Sequence, residues 1–70
     1  MSTVYRVVVK GGGKNLYYIK EDDDTYCVYH HIVNVVWDDE NLIGEDDSLE
    51  DAVERIKDHS GERIDEIEEM

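Results

Sequence analysis

Only one segment of the chain, Ser48–Gly61, places its apolar residues at helical spacing, and it limits what the rest can be. Leu49, Ala52, Val53 and Ile56 recur at intervals of three and four, so they fall on one stripe and leave the helix a single face to bury. A sheet must lie beneath it. Ser48 is placed to cap the first turn, because its hydroxyl can accept from an amide that has no partner within the helix, and Asp51 three residues on completes a short-armed capping box. Gly61 supplies a left-handed stop. Glu50 and Asp51 near the start, with Lys57 and His59 near the end, suit the helix dipole, and Asp51 is spaced to pair with Arg55.

The residues before the helix read as strands. Thr3 to Lys10 is valine-rich, and Leu16 to Lys20 returns after the turn Gly11-Gly12-Gly13-Lys14-Asn15. That glycine run is not a phosphate loop, since Lys14 is followed by Asn15 and a strand where the nucleotide motif needs Ser or Thr opening a helix. Glu21 to Asp24 makes the next turn. Thr25 to Trp37 is an apolar run longer than a usual strand of about 3 to 10 residues, which predicts a bend or bulge near His30-His31 or Asn34, or two strands tightly joined. Asp38 to Asp47 reads as an acidic connecting loop whose neighbours offer its carboxylates no partner. After Gly61 the segment 62–70, with Ile64 and Ile67, returns to the sheet as a short strand. There Glu62, Asp65, Glu66 and Glu68 can face Arg6, Lys10 or Lys20.

The expected fold is therefore α+β: a small β-β-β-α-β domain over 1–70, a mainly antiparallel sheet with one helix at about 48–60 on one face. A chain of 70 residues buries only about 60% of its unfolded surface, too little for two cores. One helix covers one face. Val4, Val8, Leu16 and Tyr18, or the complementary set, must then look outward, which predicts an apolar patch and a candidate homodimer through the uncovered sheet face.

Charge narrows the function classes. The chain holds 19 Asp and Glu against 7 Lys and Arg, a formal net charge of -12. Residues 1–20 carry four bases and no acid, whereas residues 21–70 carry 19 acids and 3 bases, or -16. Such a field repels nucleic-acid phosphates and anionic membranes and speeds association with basic protein surfaces. No apolar run is long enough to cross a bilayer as a helix, and a cytoplasmic protein is expected.

Three constellations could carry chemistry. Asp39, Asn41, Glu45, Asp47 and Glu50 match a calcium loop over 39–50 when Gly44 takes its glycine position, but Ile43 stands where an oxygen ligand belongs. Cys27, His30 and His31 alternate along a strand, so Cys27 shares a face with His31 and not with His30; two ligands are too few for structural zinc. An anionic chain also disfavours a reactive thiolate. Carboxylates are abundant, yet a chain this short is not expected to enclose a catalytic pocket of about 300 Å³ or more beside its core. The expectation is a non-enzymatic acidic protein without cofactor or resident metal, binding a basic protein surface through Asp38, Asp39, Glu40, Glu45, Asp46, Asp47, Glu50 and Asp51. A nucleic-acid-binding protein would suit as that partner, making this chain a nucleic-acid-mimicking inhibitor of phage or plasmid type. The alternatives are an accessory domain whose acids reflect a high-salt environment and a weak divalent-metal loop at 39–50.

Overall fold

The computed structural model describes residues 2–10, 16–33 and 38–70. Five strands, β1 (Thr3–Val9), β2 (Leu16–Asp22), β3 (Thr25–Val33), β4 (Asp38–Asp46) and β5 (Ile64–Glu69), form one antiparallel sheet, with α1 (Leu49–Ser60) between β4 and β5. Strands β1 to β4 follow one another as a meander. The helix then carries the chain across the sheet, and β5 pairs with β1, giving the order β4-β3-β2-β1-β5. This is the expected α+β class.

The tight hairpin between β2 and β3 turns on Asp23 and Asp24, both at positive φ (49° and 65°), the conformation that matches the twist of the flanking strands. The glycine turn at 11–15 and the bend proposed at Asn34 lie outside the described residues. A bulge does occur, in β4 rather than β3. Val28 faces Gly44 and Tyr29 faces Leu42, so Ile43 is the extra residue.

One expectation fails. The stretch read as a loop from Asp38 to Asp47 is a nine-residue edge strand as far as Asp46. Its acids and glycine are poor strand formers, but β3 offers an unpaired edge from Tyr26 to Val33, and satisfying those amides and carbonyls outweighs local propensity. The charges also protect this exposed edge from pairing with another chain.

The core lies on the helix side. Val7 pairs with Tyr17, Tyr17 with His30, Ile19 with Val28, and the side chains of Val7, Val9, Tyr17, Ile19 and Val28 are buried beneath Ala52 and Ile56. Leu49, Val53, Ile43 and Ile64 pack around them. Ser48 accepts a hydrogen bond from the Asp51 amide at 3.2 Å, and Gly61, at φ 71°, donates its amide to the Lys57 carbonyl at 2.9 Å. Both caps were readable in the sequence.

The odd positions of β1 and β2 fill this core, so Val4, Arg6, Val8, Leu16, Tyr18 and Lys20 face the other way. Cys27, Tyr29 and His31 of β3 join them, as do Glu40, Leu42 and Glu45 of β4 and Glu66 and Glu68 of β5. No described helix covers this face.

Candidate functional site

The acids expected to act together are divided by strand alternation. Glu40 and Glu45 lie on the open face, where Glu40 pairs with Lys20 at 3.5 Å and approaches His31 at 3.9 Å, and Glu45 accepts a long S–H contact from Cys27 at 3.7 Å. Asp39 and Asp46 belong to the helix side of β4, opposite Ile32 and Tyr26, and Asp38 begins the strand opposite Val33. Asp47, Glu50 and Asp51 sit around the helix N-terminus. The eight residues do not form one surface.

The same division undoes the calcium-loop spacing. Asp39 and Asn41 lie across the sheet from Glu45. Among the described residues no three His, Cys, Asp or Glu side chains gather closely enough to hold an ion.

Asp46 has a partner that helix spacing did not suggest. Arg55 leaves the helix flank and lies across β4, where Nε and the guanidinium Nη2 donate to the two carboxylate oxygens of Asp46 at 2.8 and 3.1 Å. This fork-to-fork contact replaces the expected Asp51 pair and holds the Asp46 carboxyl below its ordinary range. Gly44 makes the crossing possible. A β-carbon there would meet the Arg55 guanidinium, so the glycine leaves room for that side chain to lie across the strand rather than making the sharp turn of a metal loop.

With Arg55 neutralised by Asp46, the outward side of α1 is left to acids. Asp51, Glu54 and Asp58 follow at intervals of three and four residues, about half a turn from the Ala52–Ile56 stripe. Along the helix axis these intervals are about 4.5 and 6 Å. Lys57 reaches Glu54 at 3.5 Å, whereas Asp47, Glu50, Asp51 and Asp58 make no ion pair with the described residues. Between this acidic side and β4 runs an open groove of about 480 Å³, lined by Ile43, the Asp46–Arg55 pair, Asp51, Glu54, Asp58 and His59.

Comparison with family models, curated proteins and solved structures finds no match to this chain.

At the groove's lower end three rings meet. Tyr17 stacks on His30 with centroids 4.7 Å apart, and its hydroxyl lies 2.8 Å from Nδ1 of His59. The His30 and His59 rings are 5.2 Å apart. Nε2 of His30 is buried with no hydrogen-bond partner, and burial, followed by the neighbouring His59 and His31, pushes the His30 pKa down. His30 lies half-buried under the helix end, where its contacts are with residues 13 positions before it and 29 after. Cys27 is half-buried on the open face, and burial followed by Glu45 pushes its thiol pKa up, which suppresses the thiolate.

Glu54 and Asp58 were not among the residues singled out in the sequence. Their periodic offset from the apolar stripe was a visible signal, since helical positions three and four apart share a side. The Arg55 crossing carried no comparable signal.

Proposed function

We propose that this chain is a non-enzymatic acidic interaction protein whose helix side binds a basic protein surface, in the manner of a nucleic-acid mimic. The observation that carries the reading is the acidic row Asp51, Glu54 and Asp58, joined by Asp47 and Glu50, on an element held rigid by its caps and by the Asp46–Arg55 clamp. A rigid row loses little conformational entropy when it meets lysines and arginines of a partner. Its axial spacing of about 4.5 to 6 Å is wider than the 3.4 Å per phosphate along one strand of a duplex, but of the same order. The predicted set narrows accordingly: Asp47, Glu50 and Asp51 stay in the surface, Glu54 and Asp58 enter it, and Glu40 and Glu45 leave it for the opposite face.

The test is displacement. The protein is titrated into complexes of labelled duplex DNA with a panel of basic DNA-binding proteins at about 50 mM salt. Release of the duplex from a panel member, diminishing as salt rises, is the expected result. Failure to displace DNA from any of them, together with a large gain in thermal stability between about 20 mM and 2 M salt, would assign the acids to salt adaptation instead.

A further inference from the structure

The last turn of α1 is held to the sheet differently from the turns before it. Ala52 and Ile56 are the buried side chains of the helix, and after Ile56 the residues Lys57, Asp58 and His59 are exposed. Among the described residues none from this turn joins the apolar core, so its anchor is polar. His59 leans onto the sheet. Its Nδ1 lies 2.8 Å from the hydroxyl of Tyr17, a residue only 1% exposed, and its ring stands 5.2 Å from that of His30. His30 is flanked by both, with Tyr17 stacked on it at 4.7 Å. Its Nε2 is buried without a hydrogen-bond partner. A neutral imidazole tolerates that setting better than an imidazolium, whose charge and second N–H both need partners.

We propose that Tyr17, His30 and His59 form an acid-released latch: His59 pins the last helical turn over a neutral His30, and a proton taken up by His30 favours the lifted turn. Lifting is confined by its neighbours. Ile56 holds the helix on one side, and on the other the Arg63 carbonyl accepts from the Lys10 amide at 2.9 Å. Once His59 leaves, water reaches Nε2 of His30 and the imidazole titrates near its ordinary value of about 6.5. While His59 stays, burial, followed by His59 and His31, holds the His30 pKa below that value. The lifted state therefore binds more protons, and its share grows as pH falls below about 6.5. The surrounding charges do not cancel this. His30 faces Tyr17 from β2, His59 from α1, and from β4 Asn41 opposite and Asp39 on the diagonal, while His31 follows it on the open face. Asp39 keeps its place on the sheet in both states, Asp58 belongs to the outward row, and Arg55 is neutralised by Asp46. Asp58 rides on the lifting turn, so release breaks the acidic row; that consequence rests on the acidic-side reading, whereas the latch does not.

Amide hydrogen exchange of the full chain, followed by NMR and corrected for intrinsic rates, reads the opening of this turn. The amides of His59, Ser60 and Gly61 close it. With His30 neutral when latched, the ratio of lifted to latched turn rises about tenfold between about pH 7.5 and 5.5. Carboxylates, with ordinary values of about 4, stay ionised over that range. These three amides should lose at least about fivefold in protection, while remaining less protected than the Ile56 amide, so that the opening is local. His30→Gln should reduce the loss to less than about twofold. His59→Ala should leave the same amides poorly protected at both pH values. Because His59 is exposed, His59→Ala decides the matter where His30→Gln perturbs the fold. Wild-type protection that does not change with pH would overturn the proposal. So would a loss that folded His30→Gln retains in full, or protection that His59→Ala leaves intact.

Discussion

Val7 and Val8 are adjacent, chemically identical and on opposite faces, which makes them a matched pair for the claim that one face is core and the other open. Val7 is fully buried, whereas Val8 is half-buried beside Leu16 on the uncovered side. Val7→Ala removes two methyl groups from the core, at about 0.8 kcal/mol each. It also leaves about 50 Å³ of void, adding about 1.2 kcal/mol at about 24 cal/mol per Å³. The cost is about 2 to 3 kcal/mol. Val8→Ala encloses no cavity and returns only part of its methyl surface to water, so about 0.5 to 1 kcal/mol is expected. For 70 residues the unfolding entropy is about 150 cal/mol/K near the midpoint, so these costs correspond to falls in Tm of about 13 to 20 °C and about 3 to 7 °C. The whole domain should hold only about 3.5 to 10 kcal/mol, so Val7→Ala removes a large share. Urea and thermal unfolding at about 5 μM, where a dimer contributes least, measure both variants. Equal costs, or a larger cost at Val8, would refute the assignment of faces.

Other perturbations probe the local devices. Gly44→Ala should lower the unfolding midpoint by displacing Arg55, and that loss should shrink by more than half in an Arg55→Ala background; unfolding of the four proteins in a double-mutant cycle checks it. Ser48→Ala removes the helix cap and should cost about 1 kcal/mol, read as a fall in Tm of about 7 °C. Asp24 sits at φ 65°, so Asp24→Gly should raise the unfolding free energy by about 0.5 kcal/mol, read by urea unfolding; a loss would show that the turn needs the aspartate side chain. Because His30 has a lowered folded-state pKa, the unfolded chain binds the extra proton. The His30 contribution is thus complete above the unfolded value of about 6.5 and is lost as pH falls below it, towards the folded pKa. Wild-type minus His30→Gln stability, measured by urea unfolding between about pH 7.5 and 4.5, should decline toward acid. A flat difference would contradict the burial of the imidazole.

Legibility followed the range of the interaction. The helix was readable from Ser48 to Gly61 because its caps and its apolar stripe are all local. β5 was readable because Ile64 follows a helix stop and the acids beyond it complement the basic first strand, and Arg6–Glu68 makes one of those pairs. Strand β4 was not. Its sequence, Asp-Asp-Glu-Asn-Leu-Ile-Gly-Glu-Asp, lacks strand propensity, and its conformation comes from the edge that β3 offers. The bulge at Ile43 then reverses the alternation, so no period-two pattern could have sorted its acids by face. Gly44 has a part that its spacing does not suggest: the side chain that fills the space beside it belongs to Arg55, eleven residues later. The meeting of Tyr17, His30 and His59 likewise depends on strand pairing and on the helix crossing the sheet.

The acidic helix side is tested most directly by comparing the wild-type chain with an Asp51→Asn, Glu54→Gln, Asp58→Asn variant in displacement of duplex DNA from a basic DNA-binding protein across a salt series. These three side chains are solvent-facing and make no core contacts, so the variant should fold as the wild type does. Loss of displacement by at least about tenfold, with a shallower dependence on salt, is the predicted result. Displacement by the variant that matches the wild type in strength and salt dependence would contradict it.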